Sequence, residues 1–103
     1  MNISSDNGIY IDNDDLYDLK MKLGPLIAYA VKAFRDKNAN GKVRSHPINI
    51  SEEEWNRVLD EIVWAFSFDE SDHYEDVPTL KLNYERARKG YFLFAEYFTD
   101  LWI

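Results

Sequence analysis

Apolar residues recur at helical spacing in three stretches of this chain. In the first stretch they return every three or four positions, which at about 100° per residue places them on one stripe of a helix. The members of this stripe are Leu16, Leu19, Leu23, Ile27, Ala30 and Phe34. The helix is predicted to begin at Asp12 or Asn13, which can cap its first N–H groups, and to end near Asp36. The stripe continues in phase across Gly24-Pro25. Because Pro25 removes one helical hydrogen bond, the sequence predicts either one kinked helix or two collinear helices.

A capping sequence introduces the second stretch. Ser51-Glu52-Glu53-Glu54 matches a capping box, in which the serine hydroxyl accepts from the N3 amide, and it predicts a helix over about 52–68. The stripe of this helix consists of Trp55, Leu59, Ile62 and Phe66.

The third stretch predicts a helix from Thr79 or Leu80 to the end of the chain. Its apolar residues fall within a sector of roughly 100°. They are Leu80, Tyr84, Ala87, Tyr91, Phe94, Phe98 and Trp102. Gly90 lies inside this helix although glycine costs about 1 kcal/mol relative to alanine there. Its presence indicates that another helix approaches closely.

The remaining segments are mostly polar. Residues 1–11 mix Ser, Asn, Asp and Gly before the alternating Ile9-Tyr10-Ile11, which is typical of an extended arm. Residues 37–50 contain the turn sequence Asn38-Ala39-Asn40-Gly41 and predict a long loop. We therefore expect a mainly α fold, a small bundle of three to four helices, with an extended N-terminal arm over 1–11 and a single helical domain over 12–103.

Two large apolar residues fall outside the stripes. On a helical projection Trp64 lies opposite Trp55, and Leu93 lies opposite Phe98. An aromatic side chain presents about 150–250 Å² for burial, so such residues need a cover. Either the N-terminal arm and loops of the same chain cover them or another molecule does, and the sequence leaves both alternatives open.

Composition narrows the classes of partner. The chain has 103 residues, a formal net charge of −7 and no cysteine. Nucleic-acid phosphates are bound mainly by Lys and Arg, so no direct nucleic-acid binding is expected of an acidic chain. No apolar stretch approaches the roughly 20 residues that span a bilayer, so no membrane association is expected. The absence of thiols suits a reducing cytosol.

Residues that could support catalysis or metal binding form no recognisable site. His46 and His73 have no second imidazole at the spacing that a zinc site on a helix needs. Asp60 and Glu61 are adjacent, so on a helix their carboxylates diverge by about 100° and do not converge on a substrate. The acidic segment 69–76 lacks the glycine of an EF-hand calcium loop. We therefore expect no catalytic residues, no cofactor and no metal.

The last two helices resemble a family of small uncharacterised proteins that is common in tailed-phage genomes. The matching residues are Trp55-x-x-Val58-Leu59-Asp60-x-Ile62-Val63-Trp64-Ala65-Phe66 and Gly90-x-x-Leu93-Phe94-Ala95-x-Tyr97-Phe98-x-x-Leu101-Trp102. Upstream, Pro25, Phe34 and His46-Pro47 also fit, so the resemblance covers about residues 12–103. Phe92 departs from the pattern, which has a polar residue there. The resemblance implies a phage origin and a helical fold, and it brings no known activity.

Acidity, small size and this resemblance together suggest an interaction protein. The leading hypothesis is a phage-encoded, non-enzymatic, acidic inhibitor that binds and blocks a host defence or nucleic-acid-handling protein, in the manner of an anti-CRISPR protein. It would act in the cytoplasm of the infected bacterial host and meet a host protein with a basic surface. The predicted partner-binding residues are Trp64, Phe68, Asp69, Glu70, Asp72, Glu75, Asp76, Phe92 and Leu93. The alternative is a homo-oligomeric helical protein with a structural or ligand-sequestering role, and a third hypothesis is a small enzyme of unknown type.

Overall fold

Helices make up most of the described chain. The structure is a computed structural model, and it describes residues 2–4, 8–10, 13–39, 47, 49–69 and 76–101. Within these residues the elements are β1 (Asn2–Ser4), β2 (Gly8–Tyr10), α1 (Asn13–Tyr17), α2 (Leu19–Ala39), α3 (Glu52–Ser67), α4 (Val77–Glu96) and a 3₁₀ helix (Phe98–Asp100). The predicted mainly α class is confirmed. β1 and β2 pair antiparallel with Ile3 opposite Ile9, so the N-terminal arm contains a short hairpin.

The first predicted helix is divided at Asp18 and not at Pro25. α1 ends one residue before Asp18, and α2 runs through Pro25 without interruption. Helical hydrogen bonding continues around the break, since the Asp18 amide donates to the Asp14 carbonyl at 3.4 Å and the Lys22 amide donates to the Asp18 carbonyl at 3.1 Å. α2 also extends to Ala39, so the start of the predicted loop 37–50 is helical, and Lys37 favours this by facing the negative end of the helix dipole. Most of the rest of that loop lies outside the described residues.

Side-chain caps define the starts of α3 and α4. The Ser51 hydroxyl accepts from the Glu54 amide at 3.1 Å, as the capping sequence predicted. α4 begins at Val77, slightly earlier than predicted, because an Asp76 carboxylate oxygen accepts from the Thr79 amide at 3.3 Å. The other Asp76 oxygen accepts from the Thr79 hydroxyl at 2.6 Å. Pro78 is compatible with this first turn, because a backbone N–H at that position would have no helical acceptor and proline lacks one.

α3 is the central helix of the bundle. In the described part of the chain, α2 and α4 each pack on α3 and share no extended interface with each other. Both run antiparallel to α3. The early part of α2 lies near the end of α3 at Phe66, whereas the end of α4 lies near the start of α3, where the rings of Trp55 and Tyr97 are 5.4 Å apart. α2 and α4 are therefore parallel to each other.

The core is centred on the stripe of α3. Trp55, Leu59 and Ile62 are fully buried, as the periodicity predicted. Phe34 of α2 meets the Trp55 ring edge-on at 6.5 Å, and Tyr97 covers the same ring from the α4 side. Trp55 therefore lies at the centre of the bundle, in contact with residues from both α2 and α4.

α4 approaches α3 most closely at Gly90. A Cβ atom placed on Gly90 would overlap the Cβ atom of Ala65 and would lie 2.8 Å from the Glu61 carbonyl oxygen. The predicted close approach of another helix is therefore confirmed, and Ala65 on α3 is the residue that Gly90 meets.

The prediction that Leu93 lies opposite the core face of α4 is wrong. Leu93 is half-buried and packs against the cluster that includes Leu59 and Ile62. Gly90 and Ala87 form the line of closest approach to α3, so the inward face of α4 is rotated toward Leu93 and away from Phe98. The expected core face was taken from the largest side chains, whereas the smallest ones determine the contact.

Replacing Gly90 with alanine should destabilise the fold. The substitution gains about 1 kcal/mol of helix propensity, but the new methyl group overlaps buried Ala65, and overpacking of this kind costs about 1–3 kcal/mol or more. We expect Gly90→Ala to lower the midpoint of thermal unfolding by several degrees, at roughly 4–8 °C per kcal/mol for a domain of this size.

Gly24→Ala is the matched control for this measurement. Its Cβ atom would overlap no side chain but would lie 3.0 Å from the Phe66 carbonyl oxygen, a tight contact. Because Pro25 follows, a side chain at position 24 also gains less helix propensity, so we expect a small loss of stability that is below that of Gly90→Ala. A Gly90→Ala protein that is as stable as Gly24→Ala, or more stable than the original chain, would contradict the packing argument.

Candidate partner-binding groove

The apolar stripe of α2 faces α3 only in part. The α2 residues buried in the core are Ala28 and Val31, whose side chains lie roughly 90° around the helix from the centre of the predicted stripe. Stripe members Ile27 and Phe34 pack against the α3 core, whereas Leu23 stays 37% exposed and Leu16, in α1, 59% exposed. The stripe therefore contacts α3 through only some of its members.

The apolar stripe of α4 also faces α3 only in part. Ala87, a stripe member, and Gly90 are buried against α3, and Gly90 lies roughly 90° from the centre of the predicted stripe. Stripe members Tyr91 and Phe98 are 40% and 60% exposed. Members of both stripes nevertheless line the same clefts, so the two stripes meet on one face of the bundle. We call the space between them the α2–α4 groove.

Two clefts follow one another along the α2–α4 groove. The upper cleft has a volume of about 570 Å³ and is lined by Lys20, Met21, Leu23, Gly24, Pro25, Phe66, Ser67, Phe68, Asp69, Tyr91 and Phe94. The lower cleft has a volume of about 250 Å³ and is lined by Ile27, Ala30, Val31, Phe34, Phe94, Phe98 and Leu101. Phe94 borders both clefts, so they form one continuous apolar surface. The upper cleft alone falls within the usual range of binding sites, about 300–1,000 Å³.

Aromatic rings form the floor and one wall of the α2–α4 groove. The Phe66 ring of α3 lies 5.0 Å from the Tyr91 ring and 5.1 Å from the Phe94 ring. Phe94 in turn meets Phe98 edge-on at 5.4 Å. Edge-on and tilted pairs at these distances are favourable geometries for aromatic rings. The wall is therefore already ordered by contacts within the chain.

Two arginine forks lie on the face of the bundle opposite the α2–α4 groove. Arg35 of α2 donates to both carboxylate oxygens of Asp60, at 2.9 and 3.3 Å. Arg86 of α4 donates to both oxygens of Glu61, each at 3.0 Å. The hydrogen bond to Glu61 raises the pKa of the Arg86 guanidinium above its ordinary value, partly offset by desolvation. As expected, Asp60 and Glu61 diverge, and each of them holds a different outer helix.

Trp64 lies on the same rear face and is covered by its own chain. Its ring stacks on Phe68 at 5.4 Å, and the guanidinium carbon of Arg86 lies 3.9 Å from the centre of its ring. Phe68 also meets Tyr84 of α4 edge-on at 5.7 Å. For Trp64, the structure thus favours cover within the chain, from Phe68 and a cation–π contact, over cover by another molecule.

The predicted partner-binding residues are not brought together in one place. Phe68 and Asp69 are half-buried and line the upper cleft. Asp76 caps α4, and Phe92 is 68% exposed and lines neither cleft. Trp64 lies on the rear face and Leu93 in the core, as described above. The remaining three, Glu70, Asp72 and Glu75, lie outside the described residues.

The sequence did not identify the exposed apolar residues that line the α2–α4 groove. Leu23, Tyr91 and Phe98 were assigned to core stripes, and nothing in the spacing shows that no helix covers them. A second signal was present in the sequence. Small residues at Ala28, Ala87 and Gly90 mark a line of close helix contact on α2 and α4 that is offset from the large apolar residues.

Comparison with protein-family models, with curated proteins and with solved structures finds no match for this chain. The resemblance to a tailed-phage family therefore stays a prediction. Among the described helices, none is both long and apolar enough to cross a membrane. In the same part of the chain, no three histidine or acidic side chains gather as a metal site requires.

Removing the Arg86 fork should destabilise the protein more than removing the Arg35 fork. Arg35→Met breaks an exposed ion pair, which is worth about 0.2–1 kcal/mol. Arg86→Met breaks an equivalent pair and also removes the cation over Trp64, which adds about 0.5–1 kcal/mol. Urea unfolding followed by tryptophan fluorescence measures both variants, and methionine keeps the apolar stem in each. Equal losses would show that the Arg86 contact with Trp64 contributes nothing.

Proposed function

We propose that this chain is a non-enzymatic interaction protein that binds a partner in the α2–α4 groove. One observation carries the proposal, namely that the apolar stripes of α2, α3 and α4 converge on a space that no described helix fills. The floor of this space is buried, but its walls leave Leu23, Tyr91 and Phe98 substantially exposed. Contiguous exposed apolar surface of this kind is typical of interfaces.

The setting expected from the sequence is part of the proposal. We infer a phage protein in the cytoplasm of the infected host that inhibits a host defence or nucleic-acid-handling protein by occupying its surface. The acidic segment 69–76 supports this proposed inhibitory role less than the α2–α4 groove does. The carboxylate of Asp76 is engaged in capping α4, whereas Asp69 lies at the end of the upper cleft beside Lys20.

The two other hypotheses differ in how they use the structure. A homo-oligomer would bury the same groove against a second copy, so it predicts a larger particle in solution. A small enzyme would need convergent polar groups, whereas Asp60 and Glu61 are paired with Arg35 and Arg86 on the rear face. The exposed apolar groove favours binding over catalysis.

Phe98→Glu should abolish partner binding. The substitution places a carboxylate in the wall of the lower cleft, where a bound apolar segment would have to desolvate it. Affinity capture of the tagged protein from infected host cells, followed by mass spectrometry, should recover a partner with the original chain and lose it with Phe98→Glu.

Phe92→Glu is the matched control. It changes the same residue type six residues earlier, in α4 instead of the 3₁₀ helix that follows it, and Phe92 is 68% exposed compared with 60% for Phe98. Because Phe92 lines neither cleft, its variant should retain the partner. Loss with Phe92→Glu and retention with Phe98→Glu would place the binding surface elsewhere and reject the proposal. Light scattering of both purified variants tests self-association directly.

A further inference from the structure

α2 has a proline in its interior, at a point that borders the upper cleft. Pro25 has no N–H, so the Met21 carbonyl one turn earlier lacks the donor that it would have in a regular helix. Proline is for this reason strongly unfavourable inside a helix. Pro25 is exposed and lies outside the buried core, so packing within the described chain does not explain it. Departures from local rules of this kind are expected at functional sites.

The Met21 carbonyl borders the upper cleft. Met21, Gly24 and Pro25 all line this cleft, so the backbone between them forms part of its wall. The ring of a proline also clashes with the carbonyl four residues earlier and tilts it away from the helix. Gly24 has no side chain that could cover the backbone there. The α2 wall therefore presents a backbone acceptor to a largely apolar space.

The end of α3 adds acceptors of the same kind. Phe66 and Ser67 are the last two residues of α3, and both line the upper cleft. Carbonyls in the last turn of a helix have no donor within the helix. The Phe66 carbonyl oxygen lies close to α2, since a Cβ atom placed on Gly24 would be 3.0 Å from it. The described last turn of α3 contains no basic residue to balance the negative end of its dipole. Backbone acceptors thus reach the upper cleft from two helices.

The charged side chains of the upper cleft favour a neutral occupant. Within the described chain they are Lys20 and Asp69, one of each sign, so the lining has no net formal charge. Apart from these two and Ser67, the side chains that line the cleft are apolar or aromatic. Its volume of about 570 Å³ is large enough for any single side chain. An occupant that suits this chemistry is neutral and mostly apolar, and it carries a hydrogen-bond donor.

We infer that the upper cleft binds a tryptophan side chain of the partner protein, whose indole N–H donates to the Met21 carbonyl. This inference rests on the proposed function and names the residue that anchors the partner. Tryptophan is the large apolar side chain that donates without accepting, whereas a tyrosine hydroxyl also brings lone pairs that need donors. Its indole would lie against Phe66 and Tyr91, whose rings are 5.0 Å apart. Tryptophan is also enriched among the residues that dominate binding energy at interfaces.

The test compares N-acetyl-tryptophanamide with its analogue methylated on the indole nitrogen. The methyl group removes the donor and adds apolar surface, so a purely apolar cleft would prefer the methylated probe. NMR titration of the isotope-labelled full chain measures both dissociation constants, weak ones included. The unmethylated probe should bind at least about fivefold more tightly, since the methylated one leaves the carbonyl acceptor unpaired. The largest shifts should occur at residues that line the upper cleft.

Pro25→Ala should remove this preference. Alanine supplies an N–H that pairs with the Met21 carbonyl inside the helix, so the variant should unfold at a higher temperature and bind both probes about equally. Met21→Ala is the matched control. It removes apolar lining from the same wall and leaves the Met21 position's carbonyl without a helical donor, so both probes should bind more weakly while the preference is kept.

Three outcomes would overturn the inference and leave the proposed function separately testable. If neither probe shifts residues of the upper cleft, this cleft does not bind tryptophan. If the original chain binds both probes equally, or if Pro25→Ala keeps the preference, the Met21 carbonyl is not the acceptor. If free indole binds far more tightly than the amide, the cleft takes a small molecule and not a side chain of a partner. The proposed function depends on Phe98 in the lower cleft, and it fails if Phe98→Glu captures the same partner as the original chain.

Discussion

The close approach of α4 to α3 at Gly90 and Ala65 determines how the rest of the bundle is arranged. With no side chain on Gly90, the α4 backbone comes near the carbonyl of Glu61, and this contact selects the line through Ala87 and Gly90 as the inward face of α4. Tyr91 and Phe98 are then rotated toward the α2–α4 groove. A bulkier residue at position 90 would hold α4 farther from α3 and would allow it to rotate. The exposed aromatic wall is therefore a consequence of one helix contact between small residues.

Much of the fold could be predicted from the sequence because its signals are local. The capping sequence before α3 and the stripe of Trp55, Leu59 and Ile62 led directly to the observed helix and its buried face. The orientations of α2 and α4 could not be predicted in this way. A stripe of large apolar residues shows which face of a helix avoids water, but not whether its own chain or another molecule covers that face. Leu93 was misplaced, and Leu23 and Phe98 were assigned to the core, for this reason.

The net charge of the chain is a poor guide to the chemistry of the α2–α4 groove. Acidic residues are concentrated on α3 and in the segment 69–76, while α2 and α4 are rich in Lys and Arg. Arg35 and Arg86 pair with Asp60 and Glu61 on the rear face, and Lys20 lines the upper cleft. The net charge of the sequence does not show that acidic and basic residues lie on different helices. A partner responds to the charges within roughly a Debye length of its own. The acidity that suggested a basic partner thus describes a different surface from the apolar one.

The positions of the two arginine forks also determine how the walls of the groove are held. Each fork ties an outer helix to α3 along the rear face, and the Trp55 cluster holds the base of the bundle, so the rear edges of α2 and α4 are the constrained ones. The front edges are joined by no extended contact between the two helices. Changing either arginine would therefore release one wall of the groove from α3, whereas changes to the exposed residues of the front face would leave both rear contacts intact.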